Sequence, residues 1–294
     1  MAFLFGDSNR KKELYSKILA TSKPEAKSAV CALYDTAAGK CAEGLSVRSI
    51  AQIAARGMMG TPTADPEWAL HWILGPTFAD RADPTGERKE ILTLIMTSMV
   101  LSNAIYPTEG AMIGSRDAEG EIAAVSFVRV YRSGYFKQLG ERLWDFRIAV
   151  GEKLAGTLPS LYTDTDSQRT TLKNHVEARI KVATHEMMPK FHAQHASGPH
   201  YYVAIMATLP EKQGQGHCSN LMRAINRAAD TDQLPCYLEC SGEKNTRVYM
   251  RFGYKVMGQC TLSIDKDAEA GSGEFTEFYC MVREPGEHGS LVEK

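Results

Sequence analysis

The chain has 294 residues, 44% of them hydrophobic and 23% charged, with a formal net charge of -1. That is material for one large domain or two small ones with a sizeable core, and it excludes a chain-wide electrostatic grip on nucleic acid. The longest apolar run, residues 91–105, is too short for a membrane span and carries Thr93, Thr97, Ser98, Ser102 and Asn103.

The opening residues, MAFLFGDSNRKKELY, put their charges after a very short apolar stretch, which is not the order of a secretory signal. Residues 1–44 read as a helical N-terminal extension. It holds two short helices broken near Ser22 and Pro24, the second placing Ala26, Val30, Leu33 and Tyr34 on one face. Helices follow over about 47–59, 67–74 and 87–106, the last led by Glu87, Arg88, Lys89 and Glu90. Alternation then replaces helical spacing: 111–115 and 121–131 read as strands around a hairpin turn at 117–120. Two long helical stretches come next, about 134–153 and 167–194, and Gly198-Pro199 stops the second. From His200 the order is strand, turn, helix, strand, helix, strand, strand. The strands fall at about 201–208, 236–239, 255–263 and 274–283, and the helices at about 217–231 and 245–252. The polar tail, 285–294, reads as disordered.

Seven scattered cysteines with no CxxC pair read as reduced thiols in a cytoplasmic protein, without a zinc site or a disulfide framework. His185, His192, His195 and His200 suggest a metal cluster, but Pro189 breaks the HExxH pattern begun by His185 and Glu186, so no metal is expected.

The informative segment is YYVAIMATLPEKQGQGHCSNLMRAINRA, residues 201–228. An apolar strand runs through a glycine-rich turn into an amphipathic helix with Leu221, Met222, Ile225 and Ala229 on one face. The first amides of a helix lack carbonyl partners, its dipole adds positive charge there, and glycines allow close approach. The result is a cradle for a pyrophosphate. The spacing is neither GxxxxGK[ST] nor GxGxxG, which argues against a P-loop and a Rossmann turn.

Gln213, Gly216 and Cys218 stand as Gln-x-x-Gly-x-Cys. This resembles the acetyl-coenzyme A signature of the GNAT superfamily of N-acetyltransferases, [Arg/Gln]-x-x-Gly-x-[Gly/Ala], with Cys218 departing at the last position. Downstream, Asn245, Tyr249 and Phe252-Gly253-Tyr254 resemble the asparagine, tyrosine and aromatic-Gly-aromatic turn of that superfamily, in the same order. His200-Tyr201-Tyr202 and the stretch 49–72 resemble the fungal and antibiotic-inactivating branch.

The resemblance implies an α/β (α+β) GNAT fold over 45–284: a mixed, mostly antiparallel sheet of six or seven strands flanked by helices, with one parallel pair splayed near Thr208. Residues 133–199 would form a helical block over the acceptor side. It implies acetyl-CoA as co-substrate and direct transfer to an amine. The length of the 133–199 block, with Tyr135, Phe136, Trp144 and Phe146 at near-helical spacing, favours a small primary amine as acceptor, and charge and apolar-run length give no nucleic acid or membrane as partner. Acetylation of a protein N-terminus or lysine, or acetyl-CoA binding without catalysis, are the other readings. Met206, Ala207 and Thr208 would offer backbone groups to the pantetheine arm. Lys212, Gln213, Gly214, Gln215, Gly216, His217, Cys218 and Ser219 would surround the pyrophosphate, with Lys212 and His217 equally readable as parts of a solvated turn. Asn245 is a cofactor contact or a cap, and Tyr249 the general acid or a core tyrosine. Many relatives place a basic glutamate where this chain has Ala204; Glu239, then His200, are the substitutes here.

Overall fold

The computed structural model describes residues 8–20, 30–35, 38–63, 65–75, 80–105, 107, 109–132, 179, 187–263 and 275–287. The expected stretches 134–153 and most of 167–194, the aromatic residues Tyr135, Phe136, Trp144 and Phe146, and the tail beyond 287 lie outside these residues.

In chain order the described elements begin with α1 (Ser8–Leu19), β1 (Val30–Ala32), β2 (Tyr34–Asp35), β3 (Lys40–Cys41), α2 (Val47–Met58) and α3 (Trp68–Leu74). Next come α4 (Glu87–Val100), which runs into a π-helical turn (Leu101–Ile105), then β4 (Gly110–Arg116) and β5 (Ile122–Tyr131). After them come α5 (Met188–His195), β6 (His200–Thr208), a 3-10 turn (Pro210–Lys212), α6 (His217–Asp232), β7 (Cys236–Ser241), α7 (Glu243–Met250), β8 (Lys255–Ser263) and β9 (Phe275–Arg283).

Seven of the strands form one sheet in the order β1-β4-β5-β6-β7-β9-β8. Every neighbouring pair is antiparallel except β6 and β7, which run parallel. β5 is buried along its whole length save for Arg129. Cover on both faces explains why its sequence, IAAVSFVRVY, shows little polar alternation. α6 packs on β4, β5 and β6, with α1 against it; α2 packs on β5 and β6, with α4 behind it.

The second N-terminal helix is corrected. Val30–Ala32 is the edge strand of the main sheet, paired Val30↔Ser115 and Ala32↔Ile113, and Leu33 N–H continues the contact to Met112 O at 2.9 Å. A short apolar run fits helical and extended spacing equally well, and pairing with the outer edge of β4 decides it. This strand supplies the sheet's first member, for which the sequence offered no separate signal. The helix expected to run to 106 ends as an α-helix at Val100. The last helix starts earlier than expected, at Glu243, after Gly242 at φ 76°.

A buried ionic cluster ties α1, the end of β5 and β6 to the end of α6. Asp232 takes Lys17 Nζ at 2.6 Å, Arg132 at 2.6 Å and the Tyr201 hydroxyl at 2.7 Å, and Arg132 also reaches Glu109 at 2.9 Å. Burial pushes the Asp232 carboxyl up, but these hydrogen bonds outweigh it and hold it below its ordinary value. A carboxylate on the last turn of a helix faces the negative end of the dipole, so the cations are what make it tolerable there. Asp232→Ala is expected to cost about 3 kcal/mol, at the low end for a broken buried pair because the side chains of Lys17 and Arg132 are 23% and 33% exposed and can take water. The melting temperature should fall by roughly 6–10 °C. A folded value depressed below the unfolded one gives stability that is present above about pH 4 and lost as pH falls through the folded value. The variant's acid limb should therefore be flatter. A drop of less than about 2 °C would mean that the cluster is balanced by its own desolvation.

Candidate functional site: a splayed strand pair and a glycine turn

β6 and β7 pair only at Tyr201↔Cys236 and Tyr202↔Tyr237. Beyond that point β6 continues to Thr208 and β7 to Ser241 without pairing to each other. The register with β5 slips at the same place: Ile205 faces Phe127 and Val203 faces Val128, so Ala204 is the extra residue of a bulge. A bulge bends and twists its strand, which carries β6 away from β7. The facing edges are left with backbone groups that need a partner. At the far end α2 presses on the strand. A Cβ on Gly57 would meet Thr208 O at 2.9 Å and Ala207 Cβ at 3.1 Å, so that glycine lets the helix approach.

β6 then enters the glycine turn, where Gly214 takes φ 77° and Gly216 φ 90°. A Cβ at either would meet nothing within 4 Å, so torsion and not crowding requires glycine there, and the turn faces open space. α6 has no side-chain cap, and its first backbone bond is Asn220 N–H to Gly216 O at 3.0 Å. The amides of His217, Cys218 and Ser219 precede that bond and project from the positive end of the helix. A splayed parallel pair leading through glycines to an uncapped helix is the arrangement the acetyltransferase resemblance implies. The chain has the GNAT fold.

The side chains around the turn are less uniform than the resemblance implies. Lys212 is held by Asp117 Oδ2 at 2.8 Å and lies 3.6 Å from Glu119, so its charge is engaged by the β4–β5 hairpin. His217 is buried, with Nδ1 3.0 Å from Ser115 Oγ, and burial lowers its proton affinity. It is neither a solvated turn residue nor, by its side chain, a charge at the helix end. Gln213 and Gln215 bond back to Thr208 O at 3.5 Å and Glu211 O at 3.2 Å. Cys218 packs against the core, where burial pushes its thiol up to about 11 and makes it a poor nucleophile at neutral pH.

Glu239 lies on β7 two residues past the last parallel pair, where the strands have parted. Its side chain is only 3% exposed. The Tyr237 hydroxyl donates to Oε1 at 2.9 Å. His192 Nδ1 donates to Met188 O at 3.0 Å and lies 3.5 Å from the same Oε1. Burial raises the Glu239 carboxyl to about 7, against the hydroxyls of Tyr202 and Tyr237, which pull it down. Burial lowers His192 to about 3, so at neutral pH it is uncharged, with its Nδ1 proton given to Met188 O. His200 stands at the closed end, before the first paired residue. Its Nδ1 donates to Gly198 O at 2.8 Å, its ring stacks on Tyr131 at 4.9 Å, and burial lowers it to about 4. Of the two base candidates, the structure sets Glu239 at the opening and His200 behind it.

Tyr249 on α7 is half-buried beside Tyr254, with ring centroids 6.1 Å apart. Its hydroxyl has no hydrogen-bond partner among the described residues. Burial, with Cys218, Cys240 and Glu67 nearby, pushes its proton affinity well above that of an ordinary phenol. Asn245 donates from Nδ2 to Ser241 O at 3.0 Å, a bond that ties the first turn of α7 to the end of β7. Glu67, absent from the sequence reading, is the cap of α3: it accepts from Leu70 N–H at 2.8 Å and from the Ser241 hydroxyl, and so pins α3 to the end of β7. The link spans 174 positions and left no local signal. Tyr237 was findable, since it shares a strand face with Glu239 at a spacing of two.

No family model matches the chain. Among solved structures it is similar to the Corynebacterium glutamicum protein described as histone acetyltransferase HPA2 and related acetyltransferase, at 19% identity and a TM-score of 0.47, over 88% of this chain and 97% of that one. It is also similar to a mosquito arylalkylamine N-acetyltransferase like 5b, at 12% identity and a TM-score of 0.45, over 87% of this chain and 99% of that one. Arylalkylamine N-acetyltransferase 2 from Aedes aegypti is similar at 12% identity and a TM-score of 0.43, over 88% and 99%. No helix among the described residues is long and apolar enough to cross a membrane.

Proposed function

We propose that this chain is an N-acetyltransferase that moves the acetyl group of acetyl-CoA directly to a primary amine of a small molecule. The observation that carries this reading is the placing of Glu239. A buried carboxyl that ionises near neutral pH stands at the parting of β6 and β7, on the strand next to the one that leads into the glycine turn. A general base works best when its proton affinity matches the operating pH.

The residues present fit the co-substrate. The amides from Gly214 to Ser219 hold the pyrophosphate at the end of α6. The unpaired edge of β6 at Met206, Ala207 and Thr208 bonds the pantetheine arm, and one of its amides polarises the thioester carbonyl, where negative charge develops. Acetyl-CoA supplies an activated acyl group. Glu239, directly or through water, takes a proton from the ammonium form of the acceptor. The freed amine forms the C–N bond as the C–S bond breaks. Tyr249, which keeps its proton at any ordinary pH, gives it to the departing thiolate and is reprotonated, directly or through water, by the second proton that the new amide nitrogen sheds.

Tyr249→Phe keeps the ring and removes that proton. Turnover is expected to fall by roughly 10- to 1000-fold with acetyl-CoA affinity unchanged in calorimetry. A wild-type rate would leave Tyr249 as a packing residue. The whole reading is tested by offering the protein acetyl-CoA with spermidine, glucosamine, tryptamine and peptides bearing a free N-terminus or a lysine, and following thiol release. Turnover of peptides alone would move the function to protein acetylation. Binding without any turnover would leave an acetyl-CoA-binding module.

A further inference from the structure

One hydroxyl donates to Glu239 and one ring from another element packs beside it. Tyr237, on the same strand face, bonds Oε1 at 2.9 Å, and His192, from α5, approaches the same atom at 3.5 Å. The Tyr237 ring leans on the His192 ring, with centroids 4.4 Å apart, so the hydroxyl does not swing freely. We propose that Tyr237 is a positioning residue for the base: its hydroxyl, braced by the His192 ring, holds the Glu239 carboxylate in the orientation that takes the proton of the acceptor ammonium. This rests on the reading of Glu239 as the base.

The chemistry follows from the donor set. When the carboxylate takes the proton, an N–H bond of the ammonium breaks, its electron pair stays on nitrogen to attack the thioester, and an O–H bond forms on the carboxyl. Tyr237 gives up nothing in this step, because burial and the adjacent Glu239 charge hold its own proton far above the ordinary phenol range. A hydrogen bond to the ionised carboxylate favours that form, so the Tyr237 hydroxyl opposes the burial that raises Glu239. Other titratable groups also face this carboxyl. Tyr202 comes from β6, and Cys280 stands opposite on β9, its thiol pushed up to about 12 by burial. His200 on β6 and Arg129 on β5 act on His192 behind it. None of these is an acid that is charged at neutral pH, so the carboxyl's midpoint is set by burial against the tyrosine hydroxyls.

The test titrates the carboxyl itself. In protein labelled with carboxyl-carbon-13 glutamate, the Glu239 resonance is assigned by its loss in Glu239→Gln, and its pH midpoint is read in the wild type and in Tyr237→Phe. The midpoint is expected to rise by about one unit in Tyr237→Phe, a roughly tenfold gain in proton affinity. The acid limb of kcat/KM, with acetyl-CoA and whichever of spermidine, glucosamine or tryptamine turns over fastest, should move by the same amount. A packing role for the ring would move neither, since phenylalanine keeps it. An unmoved midpoint overturns the proposal whether or not any amine is turned over. A moved midpoint in a protein that acetylates no amine leaves the tyrosine's hold on the carboxylate standing and overturns the base reading instead.

Discussion

Glu239→Gln is expected to lower turnover by roughly 10²- to 10⁴-fold, the range for loss of a general base, and at the same time to make the protein more stable at alkaline pH. The carboxyl titrates near 7 in the folded chain instead of at its ordinary 4.5. The folded state therefore binds more protons than the unfolded state between those values, and stability falls as pH rises through that window. Above it the buried charge costs up to about 3 kcal/mol. Glutamine removes that cost and still accepts the Tyr237 hydrogen bond on its side-chain oxygen. Thermal unfolding at pH 5 and pH 8 separates the two effects. The variant should gain over the wild type at pH 8 and gain little at pH 5, with a turnover defect at both. A variant less stable than the wild type at pH 8 would mean that the ionised carboxylate makes a net favourable contact.

Gly216→Glu is expected to abolish measurable acetyl-CoA binding. Two effects act together. Gly216 sits at φ 90°, a torsion that a side chain strains. The new carboxylate also places a negative charge beside the helix end that would receive a pyrophosphate. Like charges about 4 Å apart repel by about 1 kcal/mol in water and about 4 kcal/mol at a partly shielded surface. Gly216→Ala separates the causes, since it carries the strain without the charge and should only weaken binding. The space around this Cβ is open, so neither variant displaces a neighbour. Unchanged affinity of the glutamate variant in calorimetry would remove the turn from the binding site.

Local pattern revealed much of this molecule and long-range pairing the rest. β6, β8 and α6 lie within a residue of where the sequence puts them, because each carries its own periodicity and ends at its own glycine or polar turn. β1 was misread because three residues acquire strand character only by pairing with residues 113–115. The same holds within the site. The glycines declare the turn, and the spacing of Tyr237 and Glu239 declares a shared face. By contrast, Lys212 and His217 are governed by Asp117 and Ser115 in a hairpin about a hundred positions earlier. His192 was legible only as one of several clustered histidines, and its contact with Glu239 on β7 is what gives it a place.

The sheet order also sets a timetable. β8 precedes β9 in the chain, yet it joins the sheet only through β9, which lies between it and β7. A nascent chain that has emerged as far as Ser263 thus holds one strand with nothing to pair with and a second, β7, with an open edge beside Glu239. Open edges invite pairing with other chains, and non-local pairings form slowly. By then the glycine turn and α6 are already made. What completes the sheet of the described residues is the arrival of residues 275–283, so the yield of active protein depends on a strand that supplies none of the groups proposed to react.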